Sequence, residues 1–224
     1  MADDQNLHTR FPHGIFVWIF VFVFTLVVGI TFVVTSISPK SYMSAARIEV
    51  RYKPDDARQP RTKRQTHDSA LARTETKILT SEVVLRQVIH DLNLNEAWGK
   101  EYYNGEILKT WESLKILQGR VFVSSIPETT LIEVRIYDDQ PDNAAITANA
   151  IAKAYFSYSL TNRSELQVQL VDTAYANKTP CYPKPARNYL IGILSGVFLG
   201  LVAATGISLV VFRKNKRLSM KPII

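Results

Sequence analysis

The chain has 224 residues, a net charge of +7 and a single cysteine, so no intrachain disulfide can form and the fold must be held by packing. The basic excess is not gathered into one patch, which argues against a nucleic-acid footprint. The apolar residues gather instead in two charge-free runs, 15–37 and 189–212.

The first run follows an N-terminal tail, 1–14, that carries Asp3, Asp4 and Arg10. At about 23 residues it is long enough to span a bilayer, and it exceeds the 7–15 apolar residues usual in a signal peptide. The expectation is therefore a retained transmembrane helix. Residues 45–52 (AARIEVRY) then alternate apolar and polar side chains and predict a strand. Residues 53–68 carry Arg58, Arg61, Lys63 and Arg64 without apolar periodicity and predict a loop. Those four cations are candidate contacts for an acidic polymer or lipid headgroups, and a solvated loop is the plainer reading.

Asp68 predicts the N-cap of a helix over 69–80. Ser81 predicts the cap of a second over 82–92, with Val84, Leu85, Val88, Ile89 and Leu92 on one face. A third is predicted over 105–118, capped by Asn104, stopped by Gly119, with Ile107, Leu108, Trp111, Leu114 and Leu117 as its stripe. Strands at 120–125 and 130–137 flank Pro127-Glu128-Thr129 and predict a hairpin. A long helix follows over 139–162, with Pro141 in its first turn and Ala144, Ala145, Ala148 and Ala152 as a small-residue face. A last strand is read at 168–175. The order strand, helices, strand, strand, helix, strand predicts an α+β, ferredoxin-like extracytoplasmic domain over 38–179, between two transmembrane helices.

Residues 180–188 hold Pro180, Pro183 and Pro185 and predict a stiff strut into the second span, 189–212. That span carries Gly192, Gly196 and Gly200 at four-residue spacing, a ladder suited to close helix packing. The partner is left open: the first span, a neighbouring copy or another protein. A basic tail, 213–224, follows, in which Arg213, Lys214, Lys216 and Arg217 would anchor the cytoplasmic side and place both termini there.

The search for chemistry yields nothing. There is no phosphate-binding glycine loop, no metal-ligand spacing among the histidines, no partner for Cys181 and no nucleophile elbow. Neither an enzyme nor a cofactor is expected. Glu75, among Arg73 and Lys77, reads as part of a surface ion network.

Several of these stretches resemble one family. Two spans bracketing an outward domain, Pro180, Pro183 and Pro185 running into Gly192, Gly196 and Gly200, the stretch 75–85 (ETKILTSEVVL) and the stretch 142–152 (DNAAITANAIA) are similar to polysaccharide co-polymerases, the Wzz-type chain length determinants. The resemblance is to a compact member, since residues 163–167 leave no room for a long helical arm and the tail carries no fused kinase. It implies a non-catalytic protein of the bacterial inner membrane, with its central domain periplasmic. Such a protein assembles as a homo-oligomeric ring in the lipid bilayer and acts with a polymerase on the length or export of a surface polysaccharide, whether O-antigen, capsule or exopolysaccharide. The alternative is a two-span adaptor or sensor that activates a separate cytoplasmic tyrosine autokinase.

Overall fold

The computed structural model describes residues 13–53 and 61–219, with side chains for 14–53 and 70–214. Arg58 lies outside the described residues. The chain divides into two compact units, one formed by its two ends and the other by Lys40–Tyr182.

The first unit is a pair of helices, α1 (His13–Ile37) and α7 (Pro185–Ser219). Within them, Gly14–Ile37 and Pro185–Lys214 are long and apolar enough to cross a membrane. Pro185 opens α7, where its missing N–H leaves no helical bond unmade. The helix runs on through Arg213, Lys214, Lys216 and Arg217, because Arg and Lys are good helix formers and no Gly or Pro interrupts them.

The second unit is a four-stranded antiparallel sheet with helices on one face. β1 (Tyr42–Tyr52) is followed by four helices, α2 (Arg61–Leu79), α3 (Glu82–Asp91), α4 (Leu94–Tyr102) and α5 (Thr110–Arg120). The hairpin of β2 (Val121–Ser125) and β3 (Leu131–Asp138), then α6 (Pro141–Asn162) and β4 (Leu166–Asp172), complete it. The strand order is β2-β3-β1-β4. Alternation fixes the faces: Ala46, Ile48 and Val50 of β1 and Ile132, Val134 and Ile136 of β3 are buried under the helices. Their neighbours Arg47, Glu133 and Arg135 point to the other face. Burying those apolar side chains against Ala144, Ala148, Ile151 and Leu85 is the main term holding the unit, at roughly 25 cal/mol per Å².

The sequence reading departs from the structure in six places. Residues 61–68 are helical, not loop, and Asp68 lies inside α2 rather than capping it. The charged side chains there hide the apolar signal, but Arg, Lys, Gln and Ala all favour helix. α4 was not anticipated; only Leu94, Trp98 and Gly99 of it are buried, too few for a readable stripe. α5 begins at Thr110, because Asn104 and Gly105 both take positive φ and form a turn. Its N-terminal bond comes from Glu112, whose Oε2 accepts the Lys109 N–H at 2.8 Å. Ile107 and Trp111, at 72% and 50% exposed, fall off the buried stripe of Leu108, Leu114 and Leu117. Gly119 stays within the helix. Finally β4 spans Leu166–Asp172, and the chain leaves the sheet before Tyr175.

Gly99 is required by space. A Cβ there would lie 2.1 Å from the Glu106 carbonyl oxygen, where the turn after α4 folds back on the helix.

Candidate functional site

The glycine ladder faces the first helix. A Cβ built on Gly192 would meet Thr31 Oγ1 at 2.6 Å, one on Gly196 would meet Phe24 Cδ2 at 3.1 Å, and one on Gly200 would meet Phe20 Cδ2 at 2.8 Å. The partners descend α1 as the glycines ascend α7, so the helices run antiparallel with side chains of α1 seated in the glycine notch. Ala204 and Ser208 are fully buried and continue the four-residue spacing. Phe20 and Phe24 stack on each other at 6.0 Å, and Phe32 stacks on Tyr189 at 6.2 Å. Asn188 Nδ2 lies 3.4 Å from Thr35 Oγ1, a weak polar contact at one end of the pair. Gly14, Gly29 and Gly206 have open space where a Cβ would stand. The three ladder positions thus differ from the other glycines of the pair by what faces them. Arg213 and Lys214 are exposed near the C-terminal end of α7, and Lys216 and Arg217 lie in its last turns.

The proline segment divides. Pro180 precedes a backbone clamp in which Cys181 N–H donates to the Ser41 carbonyl at 2.8 Å and Ser41 N–H donates to Tyr182 O at 3.0 Å. The start of β1 and the end of the sheet unit are thereby pinned together. Pro183 is in non-helical backbone, and Pro185 is the first residue of α7. Arg61, Lys63 and Arg64 fall at the start of α2.

Two polar locks sit inside the sheet unit. Glu75 of α2 is not a surface residue: it is 0% exposed, accepts the Tyr155 hydroxyl of α6 at 2.9 Å and pairs with Arg163 just beyond α6. Burial, and then the Glu75 carboxylate, push the Tyr155 hydroxyl well above its ordinary value, so the phenol stays a donor. The second lock is Arg120, which pairs with the buried Asp138 and lies over the rings of Trp98 at 5.2 Å and Tyr102 at 5.3 Å. Asp138 Oδ1 also accepts the Gln140 N–H at 3.1 Å, holding the entry to α6. The sequence reading missed both locks; a lone carboxylate amid cations carried no sign of its distant partners.

Among the described residues no group of His, Cys, Asp or Glu is placed to hold a metal ion. The geometry is that of a pair of close-packed apolar helices, each long and apolar enough to cross a membrane, and a well-locked antiparallel sheet unit, whose conspicuous features serve packing. Residues 6–92 match the family model for Wzz, chain length determinant protein, a segment running from the N-terminal tail through α1 and β1 to the end of α3. This supports the Wzz-type polysaccharide co-polymerase family for the chain, and it covers the 75–85 stretch. No curated protein matches the chain.

Proposed function

We propose that the protein is a non-catalytic, two-pass co-polymerase of the bacterial inner membrane that sets the chain length, or permits the export, of a surface polysaccharide. The carrying observation is the chain-length-determinant match, which extends through the first span into the sheet unit. The antiparallel order β2-β3-β1-β4 supports a ferredoxin-like reading of that unit, in which α2 to α5 stand for the first crossover and α6 for the second. The basic residues at the end of α7 support a cytoplasmic placement of both termini and a periplasmic placement of Lys40–Tyr182. Copies associate into a ring and act on a polymerase in the same membrane. Arg58, Arg61, Lys63 and Arg64 remain candidate contacts for polymer or lipid.

The test is the length distribution of surface polysaccharide on a gel, with the gene deleted and then restored. A changed distribution at similar total sugar supports length control. Loss of all polymer supports export, or activation of a cytoplasmic tyrosine autokinase, a reading favoured by the helical extension of α7 beyond its apolar run. No change in amount or length overturns the proposal.

A further inference from the structure

The face of the sheet away from the helices carries Arg47, Glu133 and Arg135 among apolar side chains such as Met43 and Phe122, and a groove opens on it. The groove measures about 570 Å³, within the roughly 300–1,000 Å³ of small-ligand clefts, and lies where β4 leaves β1 and the chain turns toward Asn177. Its floor is Met43 and Ala45, its charged wall is Arg47, Glu133 and Asp172, and Tyr175 stands at the side.

The charges form a row across the strands. Register places Arg47 opposite both Glu133 and Asp172. The guanidinium donates to Glu133 Oε1 from Nε and Nη2, both at 3.1 Å, and to Asp172 Oδ2 from Nη1 at 3.3 Å. Glu133 Oε2 also pairs with Arg135 at 3.1 Å, so the row alternates two cations with two carboxylates and its charge balances. Asp172 is half exposed, and its second oxygen takes part in none of these bonds. The β1–β4 register shifts between Arg47 and Ile48, which is where β4 begins to swing clear and the groove opens. Tyr175 is 76% exposed with its backbone fixed from two sides: its carbonyl accepts the Ser44 hydroxyl at 2.8 Å, and the preceding Ala174 exchanges two hydrogen bonds with Asn149. A rigid backbone therefore presents an uncovered aromatic ring beside alternating acceptors and donors.

We infer that this groove binds a short run of uncharged sugar units, with the Tyr175 ring as the stacking platform and Asp172 and Arg47 as hydroxyl partners. A sugar offers C–H faces to an aromatic ring and vicinal hydroxyls that both donate and accept; this wall offers the complement. The balanced charge disfavours phosphate, and no metal cluster accompanies the carboxylates among the described residues. The inference rests on the reading that the protein works on a surface polysaccharide. It assigns the polymer contact to residues other than the cations of 58–64.

The experiment uses the full chain in lipid nanodiscs and, as probe, oligosaccharides released by mild acid from the surface polysaccharide of the cell that carries the gene. Binding is read by saturation transfer to the sugar protons in solution NMR. The wild type is expected to bind, Tyr175→Ala to weaken binding by about tenfold, and Tyr175→Phe to stay within about threefold, since the ring and not the hydroxyl is the platform. Asp172→Asn should fall between them. Inorganic phosphate should not displace the probe. These side chains are exposed, so the variants should fold, and an unchanged circular dichroism spectrum and unfolding midpoint check that they do. Absence of transfer to the wild type, equal affinity in Tyr175→Ala and Asp172→Asn, or displacement by phosphate overturns the site. If deletion of the gene alters the polymer while the wild type shows no transfer, the site alone fails. If deletion leaves the polymer unchanged, the functional reading fails as well.

Discussion

α6 and α7 both place a small residue at every fourth position, and they use it differently. On α6, Ala144, Ala148 and Ala152 lie under the sheet unit, packed with Ile48, Ile132 and Val134 in a core that water drives together. On α7, Gly192, Gly196 and Gly200 lie against α1 in helices long and apolar enough to cross a membrane, and in lipid, as apolar as any side chain, such a pair would have no such drive. The first contact tolerates a methyl group and gains from burying it. The second gains only from closeness, so even the methyl is absent. The sheet unit can also carry buried charge, because Glu75 finds both Tyr155 and Arg163; the helix pair offers neutral polar contacts such as Asn188 to Thr35 at 3.4 Å.

The sharpest way to break the comparison is to remove the charge that the sheet unit tolerates. Glu75→Ala would leave the Tyr155 hydroxyl without its acceptor and Arg163 with Glu165 alone, at 3.2 Å, at a cost of roughly 2–3 kcal/mol, below that of a fully broken buried pair because the Arg163 side chain keeps this partner and is 29% exposed. Denaturant unfolding of the full chain, followed by tryptophan fluorescence in a variant that keeps only the buried Trp98, measures it. A loss below about 1 kcal/mol would mean that the lock is decorative.

The helix pair is tested by adding what it lacks. Gly192→Leu should destabilise the α1–α7 contact by roughly 1–3 kcal/mol, since even a Cβ comes within 2.9 Å of three Thr31 atoms. Gly196→Leu should do less, because its nearest neighbour is the edge of Phe24 at 3.1 Å. Spin labels on α1 and α7 should move apart in that order. An unchanged distance in Gly192→Leu would place the contact on another face of α7.

A smaller effect separates hydrogen bond from charge in the same lock. Tyr155→Phe should lose about 1 kcal/mol at neutral pH. Its pH dependence is more telling. The folded pKa of Tyr155 is raised above the ordinary value of 10, so above pH 10 the unfolded chain releases a proton that the folded one keeps. Stability from this group is fully present below pH 10 and falls as pH rises beyond it, by up to about 1.4 kcal/mol per unit. The Phe variant should lack that share of the alkaline slope. Parallel alkaline curves for the two proteins would show that Tyr155 ionises as freely in the folded chain.

Legibility in the sequence follows the range of the interactions. The two apolar runs, the β2–β3 hairpin, α3 and α6 were readable because their signals are local and periodic: Val84, Leu85, Val88 and Ile89 declare a face by themselves. The first turns of α2 were not, since Arg61, Lys63 and Arg64 favour helix by propensity while their charge mimics a loop. α4 was missed because two large buried side chains, Leu94 and Trp98, make no stripe. The locks and the groove were beyond reach for a different reason. Glu75 meets partners 80 and 88 residues away, a separation closed by the packing of α2 on α6, and Arg47 meets Asp172 across 125, closed by the sheet register. The ladder is intermediate: its spacing is visible in the sequence, but its partner helix is not.

The least disruptive substitution isolates that last point. Gly206 lies on α7 beyond the ladder, and a Cβ placed there would have nothing within 4 Å, whereas one on Gly200, six residues earlier, would meet Phe20 at 2.8 Å. Gly206→Ala should leave the α1–α7 spin-label distance as in the wild type and change stability by within about 0.5 kcal/mol. Gly200→Ala on the same helix should widen it, because the phenyl ring must shift to admit even one methyl. If both variants behave alike, general helix flexibility and not the notch accounts for the glycines. If only Gly200→Ala moves the helices, closeness at that face is what the glycine provides, and the side of α7 at Gly206 is left open for other contacts.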